Sequence, residues 1–388
     1  MSARAVLRPA ACLSRIAACP VGAVRFKRPP LAPKIPLSKE HLKPFYDIVP
    51  PGLTEDCPLT MEMNKPGRHY ALWKREFMPK AIHIEGLPED YYAPARGLAK
   101  KLITNHDLLE NAANETLLYD PPDYDEYLHP THRGWQMFYL FHRILMQAEG
   151  LPRYAVKDMM LTADVAFRFL WTRIGRNVQA LGRAPFLITS RHPLPPPIAQ
   201  QSELDRMSEE HQFHDGTPIS PFYGMLRRDY GEPRINYPLN PRSLLQYPHT
   251  LVMIQRRRNV QNEITHMELS VFQFAILAAF AVTRLGYKLG QPCPMPLTMQ
   301  AIYTNGREVQ LSCFQLNTLE MDSSYGLKNV TWSERKAVLY DVPEQDDERR
   351  YLINGVKEDV FNKYYSFFLN YDFDRLDKDT DMSAAQLF

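Results

Sequence analysis

Cysteine is scarce in this chain of 388 residues, with five in all: Cys12, Cys19, Cys57, Cys293 and Cys313. They show neither metal-type spacing nor an even framework, which argues against a disulfide-stapled scaffold and for a reduced compartment. Long hydrophobic runs are missing too. The most apolar stretch, Phe272–Val282, has about eleven near-continuous apolar residues, short of the roughly 20 that a membrane span needs, so it reads as a core helix. Catalytic signatures are also lacking: there is no G-x-S-x-G elbow, no Walker loop and no G-x-G-x-x-G after a strand. No internal repeat occurs. Acidic residues are absent before Glu40.

That last absence gives the start of the chain its character. Residues 1–28 carry Arg4, Arg8, Arg15, Arg25, Lys27 and Arg28 among Ala and Ser. Arg-rich and acid-free is the pattern of a mitochondrial presequence, expected to be cleaved near Arg25–Lys27. A secretory signal fits less well, because Arg15 interrupts the apolar stretch such a signal requires. The whole chain has 46 basic and 44 acidic residues. Without the six basic residues of 1–28, 40 face 44. A protein held mainly by nucleic-acid phosphates carries an excess of Lys and Arg. This balance instead predicts protein neighbours, with local basic spots for any RNA.

Proline is abundant, at 33 residues. It cannot donate a backbone hydrogen bond and it enforces extended or turn geometry. The expected organisation is a presequence over 1–28, an extended Pro-rich arm over 29–80, and an N-terminal α+β lobe over 81–190. A Pro-rich connecting segment over 191–250, a C-terminal α+β lobe over 251–371 and an acidic tail over 372–388 follow. The fold class is α+β, a mixed or antiparallel sheet with hairpins packed by helices.

Periodicity places the elements. Helices are expected over Tyr92–Asn114, His132–Ala148, Ser202–His211, Asn262–Leu289 and Val356–Leu369. Tyr119–His129 and Glu344–Arg350 read as charged loops. Val165, Phe167, Phe169 and Trp171 alternate as a strand, returning through Val178–Leu181 and Phe186–Thr189 with a break around Gly182. Leu251–Gln255 is a short apolar strand. Leu297–Tyr303 and Val309–Leu316 flank Thr304–Arg307, where Asn305-Gly306 predicts a two-residue type I′ hairpin turn. Val309, Leu311 and Cys313 are expected on one face, with Glu308, Gln310 and Ser312 on the other.

Few residues suggest chemistry. Glu209, Glu210, His211, His214 and Asp215 form the most metal-like group, but lack HExxH order; a solvated helix end explains them more simply. His129 and His132 lie beside Asp123, Asp125 and Glu126, with Pro130 opposing a shared helix face. Cys313 reads as a small buried hydrophobe. Tyr70–Arg75 mixes aromatics and cations, suited either to stacking on bases or to a core edge. The strongest charge run is Arg256, Arg257 and Arg258, whose planar forks suit phosphate; Arg227 and Arg228 form a weaker second spot. No catalytic, cofactor-binding or metal-binding residue is assigned, and no cofactor is expected. A matrix metal-assisted enzyme built on Glu210, His211 and His214, or a free mitochondrial RNA-binding factor, are the alternatives.

Several motifs carry a resemblance. TNGR (Thr304–Arg307), CFQLNT (Cys313–Thr318) and LKNVTW (Leu327–Trp332) are similar to the C-terminal half of metazoan mitochondrial large-ribosomal-subunit protein thirty-seven. IEGLPE (Ile84–Glu89), PISP (Pro218–Pro221) and YPHT (Tyr247–Thr250) agree in order and rough spacing, over roughly residues 80 to 370. The hairpin and QLNTL stretch also resemble a sister family, the mitoribosomal protein once called programmed cell death protein nine; IEGLPE and PISP favour the former. The resemblance implies a structural, non-enzymatic role in the mitochondrial large ribosomal subunit, in the matrix. It implies contacts with other large-subunit proteins, including the sister protein, and with mitochondrial rRNA.

Overall fold

The computed structural model describes residues 59–62, 80–102, 157–173, 176–211, 235–239, 243–254, 262–305, 307–323, 325–341, 344–345, 351–352, 355 and 357–372. Strand β3 (Met159–Arg173) pairs antiparallel with β4 (Arg176–Ser190) along its whole length. Its alternation turns Val165, Phe167, Phe169 and Trp171 into the core. The expected break at Gly182 does not occur, since Gly182 pairs with Phe167. The ladder skips instead at Asp164, opposite Pro185, which has no N–H to give. Asp164 has φ +52° there and an ion pair to Arg183 at 3.1 Å.

These strands belong to one nine-stranded sheet with the order β1-β4-β5-β6-β7-β8-β2, in which β3 also pairs with β4 and β9 with β7. The others are β1 (Leu59–Glu62), β2 (Ala81–Glu85), β5 (Tyr247–Ile254), β6 (Pro292–Thr304), β7 (Glu308–Thr318), β8 (Asn329–Ser333) and β9 (Ala337–Val338). A separate two-stranded ladder joins β10 (Glu344–Gln345) and β11 (Tyr351–Leu352), so a strand opens the stretch Glu344–Arg350 expected as a charged loop. Pairing is antiparallel for the hairpins and parallel for β1–β4, β5–β6 and β2–β8. Strands from 81–190 and from 251–371 share the sheet, and β4 bonds directly to β5. The expected two-lobe boundary across 191–250 therefore does not divide it. β1 falls within the stretch expected as an extended arm.

Helix α3 (Asn262–Arg284) makes the crossover that parallel β5 and β6 require. It is buried from Glu268 through Ala281, because its near-continuous apolar sequence presents no polar face. Phe272 and Phe274 meet Phe167, Phe169 and Trp171 edge-to-face. Full burial of each such ring contributes ~1.5–3 kcal/mol. The helix stops five residues earlier than expected from periodicity, at Arg284; Gly286 has φ +70° and Tyr287 N–H reaches back to Ala281 O.

The opposite face of the sheet is covered by α1 (Glu89–Leu102) and α4 (Glu358–Leu369), with α2 (Gln201–Glu210) beside them. Tyr92, Ala95 and Ala99 form the inner stripe of α1. The two alanines let α4 approach closely enough for Tyr92 and Phe367 to stack at 4.9 Å. Beneath them lie Val309, Leu311 and Cys313, as the alternation predicts. Their neighbours Gln310 and Ser312, however, are not solvated but buried toward α3, because β7 is central and both its faces are covered. The expected helix His132–Ala148, the loop Tyr119–His129 and the acidic tail beyond Asp372 lie outside the described residues, as does the end of the first expected helix beyond Leu102.

Candidate functional site

The strand directions give the sheet two ends. At one end β5, β6 and β8 begin and β7 finishes; this is the loop end. At the other lie the β6–β7 turn, the finish of β5 and the finish of β8; this is the hairpin end.

The loop end is built from buried side-chain amides. Proline at 195–197 leaves Ile198 as the first backbone donor after three residues without one. Gln315 takes it: Ile198 N–H donates to Gln315 Oε1 at 3.0 Å, and Gln315 Nε2 donates to Ile198 O at 2.9 Å. Asn329 Oδ1 accepts from Asn317 N–H and Thr318 N–H at 2.7 and 3.0 Å. Asn317 Nδ2 donates to Lys328 O. Two lysines are buried here: Lys80, φ +46°, reaches Glu320 O at 3.0 Å, and Lys328 donates to Ser208 O and Gly326 O. Burial lowers the Lys328 pKa. The CFQLNT and LKNVTW motifs are thus clasps that fix the 319–328 loop.

YPHT closes a ring of four buried side chains. Asn370 Nδ2 donates to Gln300 Oε1, and Gln300 Nε2 donates to Thr250 Oγ1, each at 2.9 Å. His249 Nε2 donates to Asn370 O at 2.8 Å, so its Nδ1 accepts from the Thr250 hydroxyl, also at 2.8 Å. Both ring nitrogens are committed in the neutral form. Burial pushes the His249 pKa down to about 4. The ring ties the end of α4 to the sheet.

The hairpin end is charged and more exposed. Asn305 N–H donates to Glu308 O at 3.3 Å, while Asn305 Oδ1 accepts from Arg307 N–H and Glu308 N–H. Asn305 therefore closes and caps the turn between β6 and β7. Arg307 Nε donates to Tyr340 O. Gly355 packs here with φ +70°; a Cβ would lie 2.1 Å from Asp341 Oδ2. Ion pairs Arg335–Glu85 and Lys363–Glu334, each at 2.6 Å, and Lys357–Asp341 at 2.8 Å surround the turn. IEGLPE delivers the chain from β2 into α1 here, with Gly86 at φ +96° and its N–H on Ser333 O.

One serine–histidine grouping occurs at this end. His266 Nε2 donates to Glu334 O, so His266 Nδ1 accepts from Ser333 Oγ at 3.0 Å, and His83 Nε2 donates to Ser333 at 2.7 Å. Ser333 is fully buried, and a carbonyl, not a carboxylate, orients His266. The group links β2, β8 and α3; a nucleophile needs an approach that this serine does not have.

Of the residues singled out from sequence, Arg256, Arg257, Arg258, Arg227 and Arg228 lie outside the described residues, as do His214, Asp215, His129, His132, Tyr70–Arg75 and the PISP motif. At the end of α2, Glu210 pairs with Arg206 at 3.0 Å and the His211 ring donates to Met207 O. Among the described residues no three His, Cys, Asp or Glu side chains gather as a metal site. Cys313 is buried under Tyr92, and burial raises its pKa to about 12, so the thiol is inert. No helix among the described residues is long and apolar enough to cross a membrane. Sequence reasoning missed the amide clasps. Their only signal is amides at alternate strand positions, which is also what a solvated strand face shows.

No family model matches the chain. Among curated proteins it is similar to "Large ribosomal subunit protein mL37" from several vertebrates. The Gallus gallus protein is 24% identical over 316 residues, 76% of this chain and 70% of the relative. The Bos taurus protein is 25% identical over 285 residues, 71% of this chain and 63% of the relative. The Rattus norvegicus protein is 28% identical over 180 residues, 44% of this chain and 40% of the relative. In the rat match the chain thus spans less than half of the relative's length. These matches carry one and the same name, and the motifs of the resemblance all serve packing where they are described.

Proposed function

We propose that this protein is a structural component of the mitochondrial large ribosomal subunit, acting in translation through its shape and without catalysis. The observation that carries the proposal is the similarity to mL37 proteins across 285 to 316 residues. The geometry supports it from a second side. Every described motif of the resemblance closes a turn or a buried hydrogen-bond clasp, and the serine–histidine group at Ser333 is sealed. Protein neighbours, including the sister-family protein, supply most of the contact. Arg256, Arg257 and Arg258 add local rRNA contacts, with Arg227 and Arg228 as a second spot. Residues 1–28 direct the chain to the matrix. The segments 29–66 and 215–249 complete their order against neighbours.

Sucrose-gradient sedimentation of mitochondrial lysate tests the proposal. The protein is expected with large subunits in moderate salt. A free RNA-binding factor would dissociate toward the top, and that result would overturn it.

A further inference from the structure

We infer that the loop end is a docking surface for a protein segment presenting apolar side chains flanked by lysine or arginine. This rests on the ribosomal role above and names the partner class of one surface. The large hydrophobics exposed among the described residues are Leu244 (75% exposed), Tyr325 (66%), Leu289 (47%) and Met295 (45%). Three sit on loops at this one end, and Met295 lies in the opening stretch of β6 there. Leu289 and Met295 precede or open β6, Tyr325 lies between β7 and β8, and Leu244 precedes β5. Gly290 N–H on Leu319 O and Leu319 N–H on Gln291 O join two of these loops directly. The third is held to α3 through Tyr247 and Tyr237, both in ring contact with Phe280.

The surface is fixed before any partner arrives. The loop bearing Tyr325 is anchored by Lys80 from one side and Lys328 from the other, so little ordering is lost on binding. Charge selects the occupant. The two lysines that anchor the Tyr325 loop are buried and engaged with carbonyls; Lys288, beside Leu289, is exposed and is outnumbered by the carboxylates around it. Beside Lys328 runs α2, which bears Glu203, Asp205, Glu209 and Glu210 against Arg206 alone. Asp322 adds an exposed carboxylate on the Tyr325 loop. Such a surface repels phosphate and attracts a basic, apolar polypeptide.

The test places a photo-crosslinking phenylalanine at position 325 of the full chain in mitochondria, followed by mapping of the adducts. Peptide adducts rich in apolar and basic residues are expected. Adducts on RNA, or none while a control surface position crosslinks, would overturn the inference. In parallel, Tyr325→Asp should lower the fraction cosedimenting with large subunits about tenfold or more, at an unchanged melting temperature. Cosedimentation of Tyr325→Asp at the wild-type level would also overturn it. Loss of the wild-type protein from the large-subunit fractions would instead refute the ribosomal role itself.

Discussion

The two ends of the sheet solve the same problem in opposite ways. Each must fix irregular chain where strands stop. The hairpin end uses ion pairs on exposed side chains: Arg335 and Glu85 are 76% and 63% exposed. Exposed pairs contribute ~0–1 kcal/mol each and weaken in salt. The loop end uses buried amides and buried lysines on backbone carbonyls, where an unmade bond costs ~1–3 kcal/mol per group. The costlier device sits under the apolar rim. A surface that must be rigid to receive a partner is therefore distinguishable from one that need only remain closed and soluble.

The largest expected effect that sharpens this contrast is at Asn329. Asn329→Ala leaves the N–H groups of Asn317 and Thr318 without their buried acceptor. The expected loss is roughly 3 kcal/mol, read from urea unfolding midpoints. Next comes acid. His249 is neutral in the fold with a pKa of about 4, against about 6.5 when unfolded. The unfolded chain then binds the extra proton first. Stability from this group is complete above about pH 6.5 and is lost as pH falls toward about 4, on the order of 3 kcal/mol. His249→Gln should flatten the pH dependence in that window; an unaltered slope would remove His249 as its source.

Smaller effects belong to the hairpin end. Asn305→Ala removes the side-chain acceptor of two turn N–H groups. Because this turn is only half-buried, water replaces part of the loss, and about 1 kcal/mol is expected. Arg335→Ala should cost under about 1 kcal/mol and less still in high salt. If it costs as much as Asn329→Ala, the contrast between the ends fails.

Local pattern revealed much of this fold. The α3 core helix and both long hairpins follow from apolar periodicity, and the inward set Val309, Leu311 and Cys313 from strand alternation. What local pattern cannot show is pairing between distant segments. The parallel contacts of β1 with β4, β5 with β6 and β2 with β8 join strands from 81–190 and from 251–371 in one nine-stranded sheet. The burial of Gln310, Ser312 and Gln315 depends on the same pairing. A polar residue on a strand reads as solvated unless the strand is known to be central. The capping role of Asn305 was not legible either: its side chain accepts two turn N–H groups, an option open to asparagine beside positive φ. Of the candidate site, the arginine run was legible as charge alone. The apolar rim was not, because Leu244, Leu289, Met295 and Tyr325 come from three segments that only the strand directions bring to one end of the sheet.

The account stands most directly on how the protein leaves the large subunit as salt is raised. Sedimentation of Tyr325→Asp and of a variant with Arg256, Arg257 and Arg258 all changed to Glu, each over a range of salt, separates protein contact from RNA contact. The account predicts that Tyr325→Asp is released at low and high salt alike, while the arginine variant is weakened mainly at low salt and shows a shallower salt dependence. Retention of Tyr325→Asp beside complete release of the arginine variant would mean that RNA, not a protein neighbour, seats this chain.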